Sequence, residues 1–335
     1  MTETEVAPRR SFAEFFAAEI APGLPALEEQ RRDRRRNAYA RLFGAAFAVV
    51  VAALVVAMAW HALAGGALLV VGAIVGLFWG RLPARRHHTA VREHVIPPLL
   101  RFLGSTEYYR EPGARFDLER VRRSGIAGAF TRAKLEDLFL GTYRDTEFRL
   151  VEARLHRKRG SGGRERRTVF AGLLCDVSVP APFAGTVLLV GDRGTRGDWI
   201  AGVMQHNFPA ALPVALDHPA FAERYRVYAD DATEAARLLQ PGLLETLLAL
   251  ADELGDASQS GSQNGGQGGG LNCAFLEGRF LMAIPQRRDL FEIGRLHRSL
   301  EHAENDLRRL AAEFTIPHRL IDNLHGERKP LLQQR

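Results

Sequence analysis

The densest run of charge able to do chemistry is RLHRKRGSGGRERR, which holds Arg154, Arg157, Lys158, Arg159, Arg164, Arg166 and Arg167 among glycines. Guanidinium and ammonium groups at this density attract phosphate through charge alone, in a way that salt weakens and sequence hardly affects. No aromatic residue interleaves with them to stack on bases, so nucleic acid is not an expected partner. The pattern reads as a solvated hairpin loop between two strands. Anionic lipid headgroups are the ligand it could contact.

Other chemistry-bearing residues are scattered. His297, Glu301 and His302 tempt a metal reading. Histidines five apart on a helix are separated by about 140°, however, so they cannot share one ion on one face. His206, Asp217 and His218 sit in a proline-containing stretch without ligand spacing, and Asp176 and Asp192 stand near strand ends without partners in sequence. Cys175 and Cys273 are the only cysteines, each within an apolar stretch, and are expected to be buried thiols rather than a disulfide or a zinc site. No nucleophile elbow, zincin, Walker or dinucleotide motif occurs. The glycines of GDASQSGSQNGGQGGG lack the strand-to-helix setting of a phosphate loop. No catalytic residue, cofactor or metal is therefore expected, and the chain leans away from being an enzyme.

The elements that would position the basic run follow from the distribution of charge. The chain has 335 residues, 25% of them charged, and a formal net charge of +6. Its apolar excess is concentrated between Leu42 and Gly80, where no Asp, Glu, Lys or Arg occurs. A bilayer crossing takes about 20 residues, so the run has the length of two crossings. AWHALAGG, Ala59 to Gly66, interrupts it near the middle with an interfacial Trp and a pair of glycines that allow a reversal. The expectation is a transmembrane helical hairpin over 41–81, with Gly65, Gly72, Gly76 and Gly80 including small-residue spacings for helix packing. Arginines crowd both flanks, which places both termini in the cytoplasm of a multi-pass inner-membrane protein.

The remaining organisation divides as a cytoplasmic amphipathic helix and basic flank at 1–40, a basic juxtamembrane helix at 82–110, and a cytoplasmic α+β domain at 111–325. The flanking helices could lie among headgroups or pack on each other or on the domain, with packing the preferred reading. In the domain, DLFLGTY, TEFRLVEARL, TVFAGLLCDVSV, GTVLLVGD and RYRVYA read as strands, antiparallel because the gaps are too short for crossover helices. DDATEAARLL opens with a capping signature, Asp231 and Glu234, and PGLLETLLALADEL continues as helix. A flexible Gly/Ser/Gln loop over 255–270 precedes NCAFLEGRFLMAI, a hairpin turning at Glu277-Gly278. The stripe Ile293, Leu296, Leu300, Ala303, Leu307, Leu310 and Phe314 reads as the buried face of a C-terminal helix.

Several of these pieces occur in a characteristic order. F-x-x-F-F-x-x-x-I-x-P-x-L-x-x-L-E from Phe12 to Glu28 precedes the apolar run, followed by EDLFLGTYRDTEFRLVEARL, VFAGLL and PFAGTVLLVGD. FAERYRVYADDATEAARLLQPGLLETL, AFLEGRFLMAI and DLFE close the series. In this the chain resembles the bacterial two-span membrane proteins classed as domain of unknown function thirty-one thirty-seven. The resemblance implies a cytoplasmic domain behind a membrane hairpin, and no activity or catalytic residues. The function expected is that of a non-enzymatic, membrane-tethered binding or scaffold module with a protein partner and, through the helices, a homo-oligomer as an option. The alternatives are a membrane-proximal enzyme without a recognisable motif and an anionic-lipid sensor.

Overall fold

The computed structural model describes residues 12–59, 72, 94, 96–98, 100–101, 106–159, 165–191, 207–259, 271–286 and 303–326. The chain divides into two compact units, Met1–Phe102 with Leu290–Ala311 and Leu103–Asp289 with Ala312–Arg335.

The first unit opens with α1 (Phe12–Phe15), a π-turn over Phe16–Ile20 and a 3-10 turn over Ala21–Gly23 that accommodates Pro22. It continues as α2 (Leu24–Ala59), a helix of 36 residues. Phe15, Phe16 and Ile20 are buried, as is Ile96. His94 Nε2 lies 3.2 Å from the Ile20 carbonyl, and Arg101 donates to Glu19 at 2.8 Å. The two amphipathic segments thus pack on each other. Gly23 is required at that contact, because a Cβ there would lie 2.0 Å from the His94 ring. Arg31, buried on α2, is held by both carboxylate oxygens of Glu28.

The apolar run is described only up to Ala59 and at Gly72. Its first part is the C-terminal half of α2, whose N-terminal half carries Glu28, Glu29, Arg31, Arg32, Asp33, Arg34, Arg35, Arg36 and Arg41. Among the described residues no helix is long and apolar enough to cross a membrane. This overturns the transmembrane hairpin, the two-span topology, and with them the multi-pass inner-membrane placement with cytoplasmic termini. The expected turn from Trp60 and the second span, apart from Gly72, lie outside the described residues. A Cβ at Gly72 would stand 2.5 Å from Val49 Cγ1, so this position does use its lack of a side chain for close approach to α2. Phe43, Phe47, Leu54, Val55 and Met58 of α2 are exposed.

The second unit is built on a nine-stranded antiparallel sheet. Its strands are β1 (Thr106–Tyr109), β2 (Arg132–Tyr143), β3 (Thr146–Arg159), β4 (Glu165–Ser178), β5 (Val187–Gly191), β6 (Leu212–Val214), β7 (Tyr225–Ala229), β8 (Asn272–Leu276) and β9 (Arg279–Pro285). They lie in the order β1-β2-β3-β4-β9-β8-β5-β7-β6. Two tight turns set the central registers. Arg144-Asp145 joins β2 to β3 and Glu277-Gly278 joins β8 to β9, with positive φ at all four residues, the mirror-image turn geometry that matches strand twist.

Both faces of the central strands are covered, so β3 buries Leu150 and Val151 equally. On one face Val121 of α3 (Leu118–Ser124) joins Phe116, Ile126, Ala127 and Phe130 in a cluster with Val151, Ala153, Leu155, Phe170, Leu174, Leu281 and Ala283. On the other, Phe314 of α7 (Ala303–Leu324) meets Phe139 with ring centroids 4.1 Å apart. His318 stacks on Tyr143 and meets the edge of Phe148. The short α4 (Pro219–Ala222) and α5 (Ala232–Leu238) precede α6 (Pro241–Gln259), and Asp231 caps α5 by accepting from the Thr233 and Glu234 amides. Asn323 donates to Thr246 at 2.9 Å and Arg319 binds Glu253, which ties α7 to α6. Of the expected C-terminal stripe, Phe314 is buried as anticipated; Ile293, Leu296 and Leu300, and the side chains of Ala303, Leu307 and Leu310, lie outside the described residues.

Candidate functional site

The basic run is mostly strand rather than loop. β3 continues through Arg159 and β4 begins at Glu165, leaving 160–164 outside the described residues. The register sets Arg157 opposite Arg167, Lys158 opposite Arg166 and Arg159 opposite Glu165. β2 ends its pairing with β3 at Arg132, opposite His156, and β9 ends its pairing with β4 at Pro285, opposite Gly172. Among the described strands, β3 and β4 therefore run on as a two-stranded ribbon past both neighbours.

Three local features hold the base of this ribbon. Thr131 donates its amide to the His156 carbonyl at 2.9 Å, and its hydroxyl accepts from the Lys158 amide at 3.2 Å. Thr168 Oγ1 stands 3.2 Å from His156 Nδ1. A bulge between Leu155 and His156 inserts Val169 into β4, so Leu155 faces Phe170 while His156 faces Thr168. The extra residue shifts the alternation of β4 by one, which separates the polar ribbon from the core positions Leu155 and Phe170.

The sequence-predicted residues fall as follows. Arg157, Lys158 and Arg167 are exposed on the ribbon, and Arg154 is half-buried on β3 with its guanidinium 3.6 Å from Glu152. Arg159 and Arg166 are placed by register, and Arg164 lies outside the described residues. Sequence reasoning missed Arg132 and Lys134 of β2. The register sets them opposite His156 and Arg154, and both are exposed. Their signal was present in the alternation of TRAKLED, where Arg132, Lys134 and Glu136 share one face of a strand. Lys134 donates to Glu136 at 2.5 Å.

A second polar constellation lies where β4, the β8–β9 turn and α3 meet. Asp176 is buried, with Oδ1 accepting from Arg279 Nε at 2.6 Å and Oδ2 3.6 Å from Arg120. Arg120 also reaches Asp117 at 3.1 Å and Glu277 at 3.4 Å, while Arg279 donates to Ser178 at 2.6 Å. Arg123 donates to both oxygens of Glu277 and holds its carboxyl below the usual range. These carboxylates are engaged by guanidinium groups, which suits fastening α3 to the sheet rather than acid–base chemistry.

The remaining candidates are accounted for locally. Thr146 Oγ1 is 2.9 Å from His325 Nε2, but Asp322, three residues before that histidine, is bound by Tyr143 and Arg144. The pair joins the end of α7 to the β2–β3 turn. His218 caps α4 by accepting from the Phe221 amide at 3.2 Å, and Asp217 is exposed. His206, Asp192, His297, Glu301 and His302 lie outside the described residues. No group of three or more His, Cys, Asp or Glu able to hold a metal occurs among the described residues. Cys175 and Cys273 are free and buried in register with Met282 between them, and burial pushes both thiols well above the usual range.

No curated protein matches the chain. Among solved structures it is similar to one described as the crystal structure of the mycobacterial trehalose monomycolate transport factor A, TtfA. The two are 11% identical, with 64% of this chain and 88% of that chain covered at a TM-score of 0.28. A superposition that loose does not establish a common fold. The family model described as Protein of unknown function (DUF3137) matches residues 168–325, from the β3–β4 ribbon to the end of α7. The matched segment holds VFAGLL, PFAGTVLLVGD, FAERYRVYADDATEAARLLQPGLLETL and AFLEGRFLMAI, which are among the motifs that carry the resemblance to this family.

Proposed function

We propose that this chain is a non-enzymatic binding module, and that its β3–β4 ribbon meets an anionic partner, acidic lipid headgroups being the ligand chemistry that fits. The observation that carries this reading is the register of the ribbon, which places Arg157 against Arg167 and Lys158 against Arg166. Like charges directly opposite on a sheet lower its stability. Two of the three ribbon pairs set base against base, and Arg159 with Glu165 sets a base against an acid. An anionic surface offsets the repulsion, and the absence of interleaved aromatics leaves charge as the means of recognition.

The test is titration of the full-length protein with vesicles of phosphatidylcholine alone and of phosphatidylcholine mixed with phosphatidylglycerol. The quantity read is the ratio of the two affinities, which cancels any apolar contribution. Each basic group at such a surface contributes up to about 1 kcal/mol. The ratio is expected to exceed tenfold at low salt and to fall towards one as salt rises. A variant with Arg154, Lys158 and Arg166 changed to Gln should lose most of it. An equal ratio for parent and variant at low salt would overturn the reading.

A further inference from the structure

We infer that the anion-binding surface is a three-stranded platform that includes Arg132 and Lys134 of β2, and that the partner it fits is a plane of charges, a bilayer face bearing acidic headgroups, rather than a single dissolved anion. The inference rests on the binding reading above and extends it to a strand that the basic run does not contain.

Residues paired across antiparallel strands lie on the same face, as do residues two apart along one strand. Arg132 pairs with His156 and Lys134 with Arg154, while Lys158 pairs with Arg166. Arg132, Lys134, Arg154, His156, Lys158 and Arg166 therefore belong to one face of the sheet. Arg157 and Arg167 belong to the other. Neighbouring strands are about 5 Å apart and alternate residues along a strand about 7 Å. The six positions thus form a two-dimensional array about 10 Å by 13 Å. That is close to the screening length at physiological salt, so its arginine and lysine charges act on a ligand together.

Exposure agrees with this arrangement. The Lys134 side chain is 59% exposed and that of Arg154 41%, and Arg132 and Lys158 are exposed as well. Glu136 and Glu152, opposite each other in the same register, border the array on its inner side. They reach Lys134 and Arg154 at 2.5 and 3.6 Å. The border limits the platform to the end of the sheet. A lone phosphate spans two or three of these positions, whereas a plane of headgroups engages all of them, and the gain is that of multivalency.

The experiment uses the full-length protein and the same pair of vesicle compositions. Arg132→Gln with Lys134→Gln is expected to reduce the anionic-over-neutral affinity ratio by up to about fivefold for each charge, with the melting temperature unchanged. Glu136→Gln, which releases Lys134, is expected to raise the ratio. Inorganic phosphate at constant ionic strength should not displace the protein from anionic vesicles. If the β2 variant binds like the parent while Lys158→Gln with Arg166→Gln loses binding, the platform is wrong and the ribbon reading stands. If neither variant changes the ratio, the ribbon reading itself fails. Displacement by inorganic phosphate would show that a single anion suffices, and would overturn the planar partner.

Discussion

At the scale of single residues, the described charges divide into those that fasten the fold and those that face outward. Asp176 is the clearest of the first kind. It is buried and its Oδ1 accepts from Arg279, so Asp176→Ala would take away that guanidinium's short, buried ion pair and leave only the longer one to the exposed Glu147 at 3.6 Å. Breaking one partner of a buried pair costs about 3–5 kcal/mol. A loss of that size in urea denaturation is expected, whereas Arg149→Ala, opposite Asp176 in the β3 register, should cost far less. Glu277 is more exposed and its contribution smaller, at most about 1 kcal/mol. Arg123 holds its carboxyl below the usual range in the folded protein. The stability it supplies is therefore complete above the carboxyl's unfolded pKa and is lost as pH falls through the lower, folded value. Glu277→Gln should be slightly less stable than the parent at neutral pH, and the difference should vanish in acid. A difference that grows on acidification would contradict the Arg123 pairing.

At the scale of elements, backbone spacing decides what each glycine tolerates. Gly172, on β4, lies so near β9 that a Cβ would stand 2.0 Å from the Ile284 carbonyl oxygen and 2.6 Å from the Gln286 amide nitrogen. Gly172→Ala must push β9 away from β4, and a loss of about 2 kcal/mol or more is expected. Gly278, at φ +74 in the β8–β9 turn, faces open space, so Gly278→Ala meets only the conformational cost of about 1 kcal/mol. Thermal unfolding of the two variants would rank them in that order. Much of this architecture was legible in the sequence. β-branched and aromatic residues bounded by Gly, Pro or Asp marked TEFRLVEARL as a strand, RYRVYA read as another, Asp231 with Glu234 marked a helix start, and Glu277-Gly278 a turn. Register was not legible, because it depends on bulges at Asp137 and Val169 that no local pattern announces. The missed members of the site follow from this. Arg132 and Lys134 join the basic run only through pairing across β2 and β3. The apolar run misled for a different reason: the absence of charge between Leu42 and Gly80 does not reveal that the helix holding its first part begins upstream at Leu24, in a stretch full of charge.

At the scale of the molecule, the two units carry different kinds of surface. The sheet unit has a covered core on both faces and its own turns, capped helices and ion pairs. A fragment beginning at Leu103 is therefore expected to unfold in one cooperative transition, with matching midpoints by fluorescence and far-ultraviolet circular dichroism. Separate midpoints would mean that the sheet depends on the preceding residues for its integrity. The same core supplies a native clock for its own opening. Cys175 and Cys273 sit on β4 and β8, either side of β9, and as the only two thiols in the chain they are protonated and shut away from solvent. A thiolate-specific reagent can reach them only when the middle of the sheet comes apart. Their labelling rate, followed by intact mass, then measures how often the nine strands separate in the native protein, without any engineered probe.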